Sequence, residues 1–325
     1  MISIIIPAFN VEKNIEQTLN SVINQSYTDW EVIAVNDGSS DRTEDILKRY
    51  CNVDCRIRYK TIPNSGAAHF PRLEAASLAK GEYICNIDAD DYIEDNYLEM
   101  LLKRLEDTKV DLVCGQMVYL DTGVIHHYIP KEDFDFSQIL TGRDAAFLTF
   151  KVGAGSLIGT GGMLCKKHLY TELISERFST PNNVYQDEID CMHLLLRASK
   201  VAFCKTYYYY ITNQDSITHR VSAKKYDKLI TEIDYKNLIK ANFLEKEKKI
   251  AANNRFVNVL IGRRFKYLAE RSFFSETEKK YIAHNFRVAF CNVESYTVGK
   301  QKILISFGYN FFCFITYILY LLRKK

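Results

Sequence analysis

The chain is short of several things a reader would look for first. Its 43 lysines and arginines nearly balance 40 aspartates and glutamates, a formal net charge of +3 over 325 residues. That is too little to argue for nucleic acid as a partner. Nine cysteines are scattered with no CxxC pair and no Cys/His cluster of zinc spacing, so they read as reduced thiols, mostly core. No GxGxxG follows an apolar run, which disfavours a dinucleotide-dependent oxidoreductase. The segment after the first apolar run, PAFNVEK, has none of the glycine-rich, basic character that a nucleotidyltransferase would want. The N-terminal apolar run lacks a basic leader and a small-residue cleavage site, so it reads as a first strand, not a signal peptide. There is no internal repeat.

What is present, 47% hydrophobic and 13% aromatic, suffices for one sizeable core and an appended region. Residues 2–6 form a continuous β-branched run stopped by Pro7, the pattern of a central parallel strand. Val11, Ile15, Leu19, Val22 and Ile23 then recur at helical spacing behind Asn10, a candidate cap. Residues 31–35, 57–62 and 83–87 predict three more strands, with helices beginning near Thr43 and carrying Leu73, Ala76 and Leu78. Alternation of this kind predicts a doubly wound, mostly parallel α/β sheet with its ligand cleft beyond the strand C-termini. Asp37 and the cluster Asp88, Asp90 and Asp91 fall on that edge. The cluster alone fits an acidic turn before the next helix or a cation site equally well; Asp37 on the same edge favours function.

Further on, a helix after Asp95 runs through Leu98, Leu101, Leu102 and Leu105, and residues 110–119 read as a strand, with Asp121-Thr122-Gly123 turning into 124–128 as a hairpin. Residues 141–151 read as helical, and the glycines at 153, 155, 159, 161 and 162 as loop. Gln186-Asp187-Glu188-Ile189-Asp190 opens a helix, where the dipole alone would explain the acids. Residues 201–203 and 207–211 are strand-like, the tyrosine-rich run reading as packing before platform. Residues 222–300 are predicted helical. Residues 303–322 are aromatic and almost uncharged before a basic end. Ser306, Tyr309, Asn310, Cys313, Thr316, Tyr320 and Lys324 trace a mildly polar stripe there, which suggests an interfacial helix, with a spanning or core helix as the other readings.

Five stretches, SIIIPAFN, NSVINQSYTDWEVIAVNDGSSDRT, AKGEYICNIDADDY, GGMLCKKHLY with YQDEID, and YYYYITNQDSITH, occur in an order and spacing that resemble family 2 of the GT-A glycosyltransferases. These inverting enzymes use nucleotide-diphospho-sugar donors and build bacterial surface polysaccharides. The resemblance covers about the first 220 residues and implies a GT-A catalytic domain over 1–220; the residue pattern adds a helical extension over 221–302 and a membrane-associated helix over 303–325. The resemblance further implies that Pro7, Phe9 and Glu12 border the nucleotide base and that Asp37 accepts a hydrogen bond from uracil. Asn36 replaces the first acid of that turn. Arg72 is expected to face the nucleotide, and Asp88, Ala89 and Asp90 to form the DxD motif, with Asp88 and Asp90 holding Mn²⁺ or Mg²⁺. Asp187 matches the general base, although Gln186 replaces the usual Glu and leaves Glu188 and Asp190 as alternatives. His219, or Arg220, is expected to touch a donor phosphate. The implied reaction moves a hexose or N-acetylhexosamine from a UDP-sugar to a lipid-linked or growing glycan at the cytosolic face of the inner membrane. A degenerate, nucleotide-sugar-binding assembly subunit is the non-enzymatic alternative.

Overall fold

In the computed structural model, residues 1–121, 123–131, 133–152, 161–177, 185–212, 221–293 and 308–323 are described. The chain divides into two compact units, Met1–Asn213 and Gln214–Lys325.

The first unit begins as its hydrophobic pattern dictates. Strands β1 (Ile2–Ala8) and β2 (Trp30–Asn36) are buried at every residue, hence their unbroken apolar runs. Helices α1 (Ile15–Ile23) and α2 (Thr43–Val53) follow them, then β3 (Ile57–Thr61), α3 (His69–Leu78) and β4 (Tyr83–Asn86). All three neighbouring pairs among these strands are parallel. The chain continues through β5 (Tyr92–Ile93), α4 (Tyr97–Thr108), β6 (Leu112–Asp121), β7 (Val124–Ile129), β8 (Ile139–Thr141) and α5 (Gly142–Val152). It closes with β9 (Met163–Lys166), α6 (Lys167–Arg177), α7 (Gln186–Arg197) and β10 (Lys200–Ile211).

These strands make one ten-stranded sheet of order β3-β2-β1-β4-β9-β6-β10-β5, with β7 on β6 and β8 on β10. Strand β9 runs antiparallel between β4 and β6, so β6 and β10 point the same way as β1. Every strand of that direction ends on one edge. The sheet neighbours of β1 are β2 and β4, so after running outward through β2 and β3 the chain returns to the other side of β1, and the crevice of a doubly wound sheet opens at such a switch. Ile2, Ile4, Ile6, Leu98, Leu101, Val113, Ala202 and Tyr208 share the core beneath α1 and α4.

Four expectations need correction. Asn10 does not cap α1; Asn14 occupies that position, and Asn10 adopts a left-handed φ of 51°. Residues 201–211 are one strand, not two, interrupted by a register shift between Phe203 and Tyr207 in its pairing with β6. β9 and α6 were not anticipated, because four apolar-then-basic residues after a glycine pair give too short a signal for a strand. The hairpin of β6 and β7 is present, but β8, only three residues long, carries no period to read.

The second unit holds α8 (Lys228–Asn242), α9 (Lys246–Glu270), α10 (Glu276–Cys291) and α11 (Tyr309–Arg323). Tyr226, Leu229, Phe256, Leu260, Ile282, Phe286 and Phe312 form its core. Ser275 and Glu278 close a reciprocal capping box at the start of α10. In α11 the expected polar stripe is divided: Asn310 is exposed, Tyr309, Cys313 and Tyr320 are half-buried, and Ser306 and Lys324 lie outside the described residues. Thr316 is buried, with its hydroxyl 2.7 Å from the Phe312 carbonyl, while Phe314, Tyr317, Ile318, Leu321 and Leu322 are exposed. Among the described residues no helix is long and apolar enough to cross a membrane.

Close approach of β1 to the entry of β4 depends on Gly81, where an added Cβ would stand 2.7 Å from the Met1 carbonyl oxygen and 2.8 Å from the Ser3 nitrogen. Gly81→Ala is therefore expected to cost about 1–3 kcal/mol in urea unfolding; an unchanged midpoint would show that this approach is not limiting.

Candidate active site

The loops beyond β1, β2 and β3 are stitched together by their own polar side chains. Asn10 Oδ1 accepts the Ser40 amide at 2.8 Å, and the Asn10 amide donates to Ser39 Oγ at 3.0 Å. Glu12 Oε2 accepts the Arg42 amide at 3.1 Å and pairs with its Nε at 3.2 Å. Phe9 stands exposed beside them. Asp37 is buried, and its carboxylate accepts the Ser65 amide at 2.8 Å and the Ser65 hydroxyl at 3.0 Å. Burial outweighs these bonds and raises its pKa. Gly38, at φ +68°, leaves only 2.8 Å between a Cβ and the Asn64 nitrogen, so this turn requires glycine. Asn36 supports the same turn, accepting the Ser39 amide at 3.1 Å. The bond Asp37 is expected to make to a base therefore needs a second lone pair on a carboxylate already engaged with Ser65.

One step along the edge, α3 delivers a buried Arg72. Its Nε donates to Asn86 Oδ1 and its Nη2 to Asp88 Oδ1, both at 3.0 Å. Nη1 is buried and has no hydrogen-bond partner among the described residues. Burial opposes the guanidinium charge, but Asp88 and then Asp187 outweigh it and hold Arg72 more firmly protonated than a free arginine. The turn after β4 is pinned from two sides. Thr18 Oγ1, on α1, lies 2.9 Å from the Ala89 carbonyl and 2.7 Å from that of Asp91. On β10, the Tyr208 hydroxyl accepts the Asp88 amide at 3.0 Å and donates to Asp91 Oδ2 at 2.7 Å, while the Ile211 amide donates to Asp91 Oδ1 at 2.9 Å.

Asp91, whose role the sequence left open, is thus a buried brace joining the acidic turn to β10. Its pKa is pushed well up by burial and by Asp90 and Asp88. Asp90 is pushed up to about 6, by burial first and then by the like charge of Asp88. Asp187 lies in the first turn of α7. Burial drives its pKa up to about 6; Arg72 opposes this, while Glu188, Asp88 and Asp190 add to it. Arg72 therefore interacts with an acid of the turn on one side and with Asp187 on the other.

A direct contact between the same two helices escaped the sequence. His69, three residues before Arg72 on α3, has its Nδ1 2.6 Å from Oδ2 of Asp190, three residues after Asp187 on α7. Both side chains are buried. The matched i,i+3 spacing on two helices was the available signal, but pairing them requires knowing that α3 and α7 meet. Asp190 is accordingly tied to His69, which argues against it as the base. His219 and Arg220 lie outside the described residues, as do residues 153–160 of the glycine-rich stretch.

Among the described residues no group of three or more His, Cys, Asp or Glu is arranged to hold a metal ion. The donor set at the turn is the carboxylate pair Asp88 and Asp90, of which Asp88 already takes Arg72. Two carboxylates fit a hard divalent cation of the Mg²⁺ or Mn²⁺ kind only when a ligand's phosphate oxygens complete its shell. The raised Asp90 is the acid that such a cation would relieve.

The mixed sheet, with the Asp37 turn and the acidic turn beyond β4 on one edge, has GT-A architecture. The family model described as glycosyl transferase family 2 matches residues 3–167, and the chain belongs to that family. It is 30% identical over 265 residues, 79% of its own length, to a poly(ribitol-phosphate) beta-glucosyltransferase of Bacillus spizizenii, of which it spans 39%. To the glycosyltransferase GlyG of Streptococcus pneumoniae it is 29% identical over 209 residues, covering 62% of this chain and 67% of that one. The S. aureus TarS 1–349 structure in complex with UDP-GlcNAc superposes with a TM-score of 0.71 at 20% identity, over 97% of this chain and 89% of that one, a likeness of fold.

Removing the Tyr208 hydroxyl strands a buried carboxyl. Tyr208→Phe is expected to lower stability by about 1–3 kcal/mol in urea, whereas Tyr92→Phe, whose hydroxyl has no partner among the described residues, should stay within about 0.5 kcal/mol. Equal effects would remove the brace.

Proposed function

We propose that the chain is an inverting glycosyltransferase that moves a hexose or N-acetylhexosamine from a UDP-sugar to a hydroxyl of a lipid-linked or growing glycan. The observation that carries this reading is Arg72, buried on the strand C-terminal edge and bonded to Asp88 of the acidic turn at 3.0 Å, with the charge of Asp187 from the first turn of α7 also acting on it. Residues 1–220 would be the catalytic domain, 221–302 its helical extension and 303–325 the membrane-associated end. The name of the Bacillus spizizenii relative and the UDP-GlcNAc of the TarS complex support a UDP-sugar donor and a surface-polymer acceptor.

Asp187 takes the proton from the acceptor hydroxyl as that oxygen bonds to the anomeric carbon. The bond from that carbon to the diphosphate breaks, the electron pair leaves with UDP, and the centre inverts. A pKa near 6 suits the task, because such a carboxylate is ionised at neutral pH yet more basic than an ordinary one. Arg72 keeps a positive charge on the side where the diphosphate departs. Asp88 and Asp90 would hold Mn²⁺ or Mg²⁺, which supplies neutralisation of the leaving diphosphate when bound. Pro7, Phe9, Glu12, Asp37, Ala89 and His219 complete the donor site in this reading.

Asp187→Asn is expected to keep UDP binding in calorimetry while losing about 10²- to 10⁴-fold in transfer. Retained transfer would move the base to Glu188. Asp90→Ala should abolish the Mn²⁺ dependence of UDP binding, and metal-independent UDP binding by the wild type would remove the cation from the scheme. The pH profile has opposite signs for activity and stability. Folded Asp187 releases its proton near 6 instead of at the ordinary 3.8, so it favours the ligand-free fold on the acid side and that contribution is lost as pH rises through about 6. Transfer should climb through the same window, and Asp187→Asn should flatten the transfer curve while removing only part of the stability slope, since Asp90 also releases its proton near 6; a wild-type rate already at its plateau at pH 5 would contradict the assignment.

The outward apolar face of α11 supports peripheral attachment to the cytosolic side of an anionic membrane, with Arg323 at its end. Ile318→Asp with Leu322→Asp is expected to weaken sedimentation with phosphatidylglycerol vesicles at least about ten-fold; undiminished binding would place the membrane contact elsewhere.

A further inference from the structure

The tyrosine-rich end of β10 divides between the two faces of the sheet. Side chains alternate along a strand, so Tyr208 enters the core beneath α1 and α4 while Tyr207 and Tyr209 point to the opposite face. On that face Tyr209 pairs in register with Tyr92 of β5 and with Val118 of β6, and Val118 pairs with Tyr128 of β7. The rings form a continuous ladder. Tyr92 and Tyr209 stack at 4.6 Å and 17°, Tyr209 and Tyr207 lie 6.2 Å apart, and Tyr207 and Tyr128 6.0 Å. Val118, beneath them, is fully buried, but the four rings are only partly so. None of the four hydroxyls has a hydrogen-bond partner among the described residues.

Two arguments separate this ladder from ordinary packing. Buried Tyr208 spends its hydroxyl on Asp88 and Asp91, whereas its four partly exposed neighbours leave theirs to solvent or a ligand and present a surface that is apolar on the ring faces and hydrogen-bonding at the rim. That chemistry matches a pyranose, whose axial C–H face stacks on aromatic rings while its equatorial hydroxyls bond at the edges. The second argument is continuity. Tyr92 directly follows Asp91, so the ladder starts where the acidic turn ends and runs across four adjacent strands, roughly 14 Å at a strand spacing of about 4.8 Å. That is room for more than one sugar ring.

We propose that Tyr92, Tyr209, Tyr207 and Tyr128 form a stacking platform for the sugar residues of a carbohydrate acceptor, holding the chain whose terminal hydroxyl reacts at the neighbouring catalytic edge. This rests on the transferase reading above and names its acceptor as a pyranose oligosaccharide bound over several units. The ladder provides affinity for length, and the catalytic edge selects the end.

The probes are cellotetraose, chitotetraose and maltotetraose with their monosaccharides, offered to the full chain in the presence of UDP and Mn²⁺. At least one tetrasaccharide is expected to bind more tightly than its monosaccharide by about ten-fold. It should also protect Tyr207 and Tyr209 from hydroxyl-radical labelling read by mass spectrometry. The paired substitution Tyr207→Leu with Tyr209→Leu should remove that preference while UDP affinity stays at the wild-type value. Because footprinting uses the unaltered protein, it decides the matter even where the substituted chain does not fold. Failure of all three tetrasaccharides to bind, or binding that leaves both tyrosines unprotected, overturns the platform. Absence of UDP binding and of UDP-sugar hydrolysis overturns the transferase reading instead, so the two failures are told apart.

Discussion

A single guanidinium in a place without water organises the candidate site. Arg72 is carried in by α3, closed over by the fold and left with carboxylates on two sides: Asp88 beyond β4 and Asp187 at the start of α7. An arginine so placed would be costly without those acids. The acids would be costly without it, since burial already pushes Asp90 and Asp187 toward neutrality. Arg72 therefore bonds to Asp88 and lowers the charge cost of Asp187, and His69 with Asp190 supplies the direct contact between α3 and α7 one helical turn away. Helices α3 and α7 are thus joined by the buried polar contact of His69 with Asp190.

The second half of the sheet adds a different kind of constraint. Strand β10, remote in sequence from β4, supplies the hydroxyl and the amide that hold Asp91. The acidic turn is consequently supported by α1 beneath and β10 beside it. Insertion of antiparallel β9 between β4 and β6 makes this possible, for it spaces the parallel pair β6 and β10 outward while keeping their ends on the same edge as β1. Alternation along β10 then separates two tasks among consecutive tyrosines, Tyr208 facing inward to the turn and its neighbours outward.

Much of the first unit was legible because buried parallel strands write themselves as unbroken apolar runs: β1, β2, β3 and β4 and their helices stand where period and turn residues placed them. The acids on the sheet edge followed from that alternation. Less could be read where the signal was short or non-local. β5, β8 and β9 are two, three and four residues long, below the length at which a period can be counted. The pairing of His69 with Asp190 spans 121 residues, and nothing in either stretch alone announces the other. Asp91 was visible as an acid but not as a brace, because its partners, Tyr208 and the Ile211 amide, belong to a strand paired through tertiary contacts. Along the terminal stripe Thr316 is buried while Asn310 is exposed. Spacing gives the face of a helix, and only packing says which face is turned in.

The outward apolar face of α11 has a consequence for how the molecule behaves away from any lipid. With Thr316 and Phe312 sealed inward and Phe314, Ile318 and Leu322 left outward, water meets a contiguous greasy ridge that no charge interrupts until Arg323. Two copies bring such ridges together more cheaply than either hydrates its own. In detergent-free buffer the apparent particle size should grow with concentration and shrink again when a mild non-ionic surfactant is added. Colloidal behaviour in a test tube and attachment to a bilayer thus become two readings of the same exposed surface.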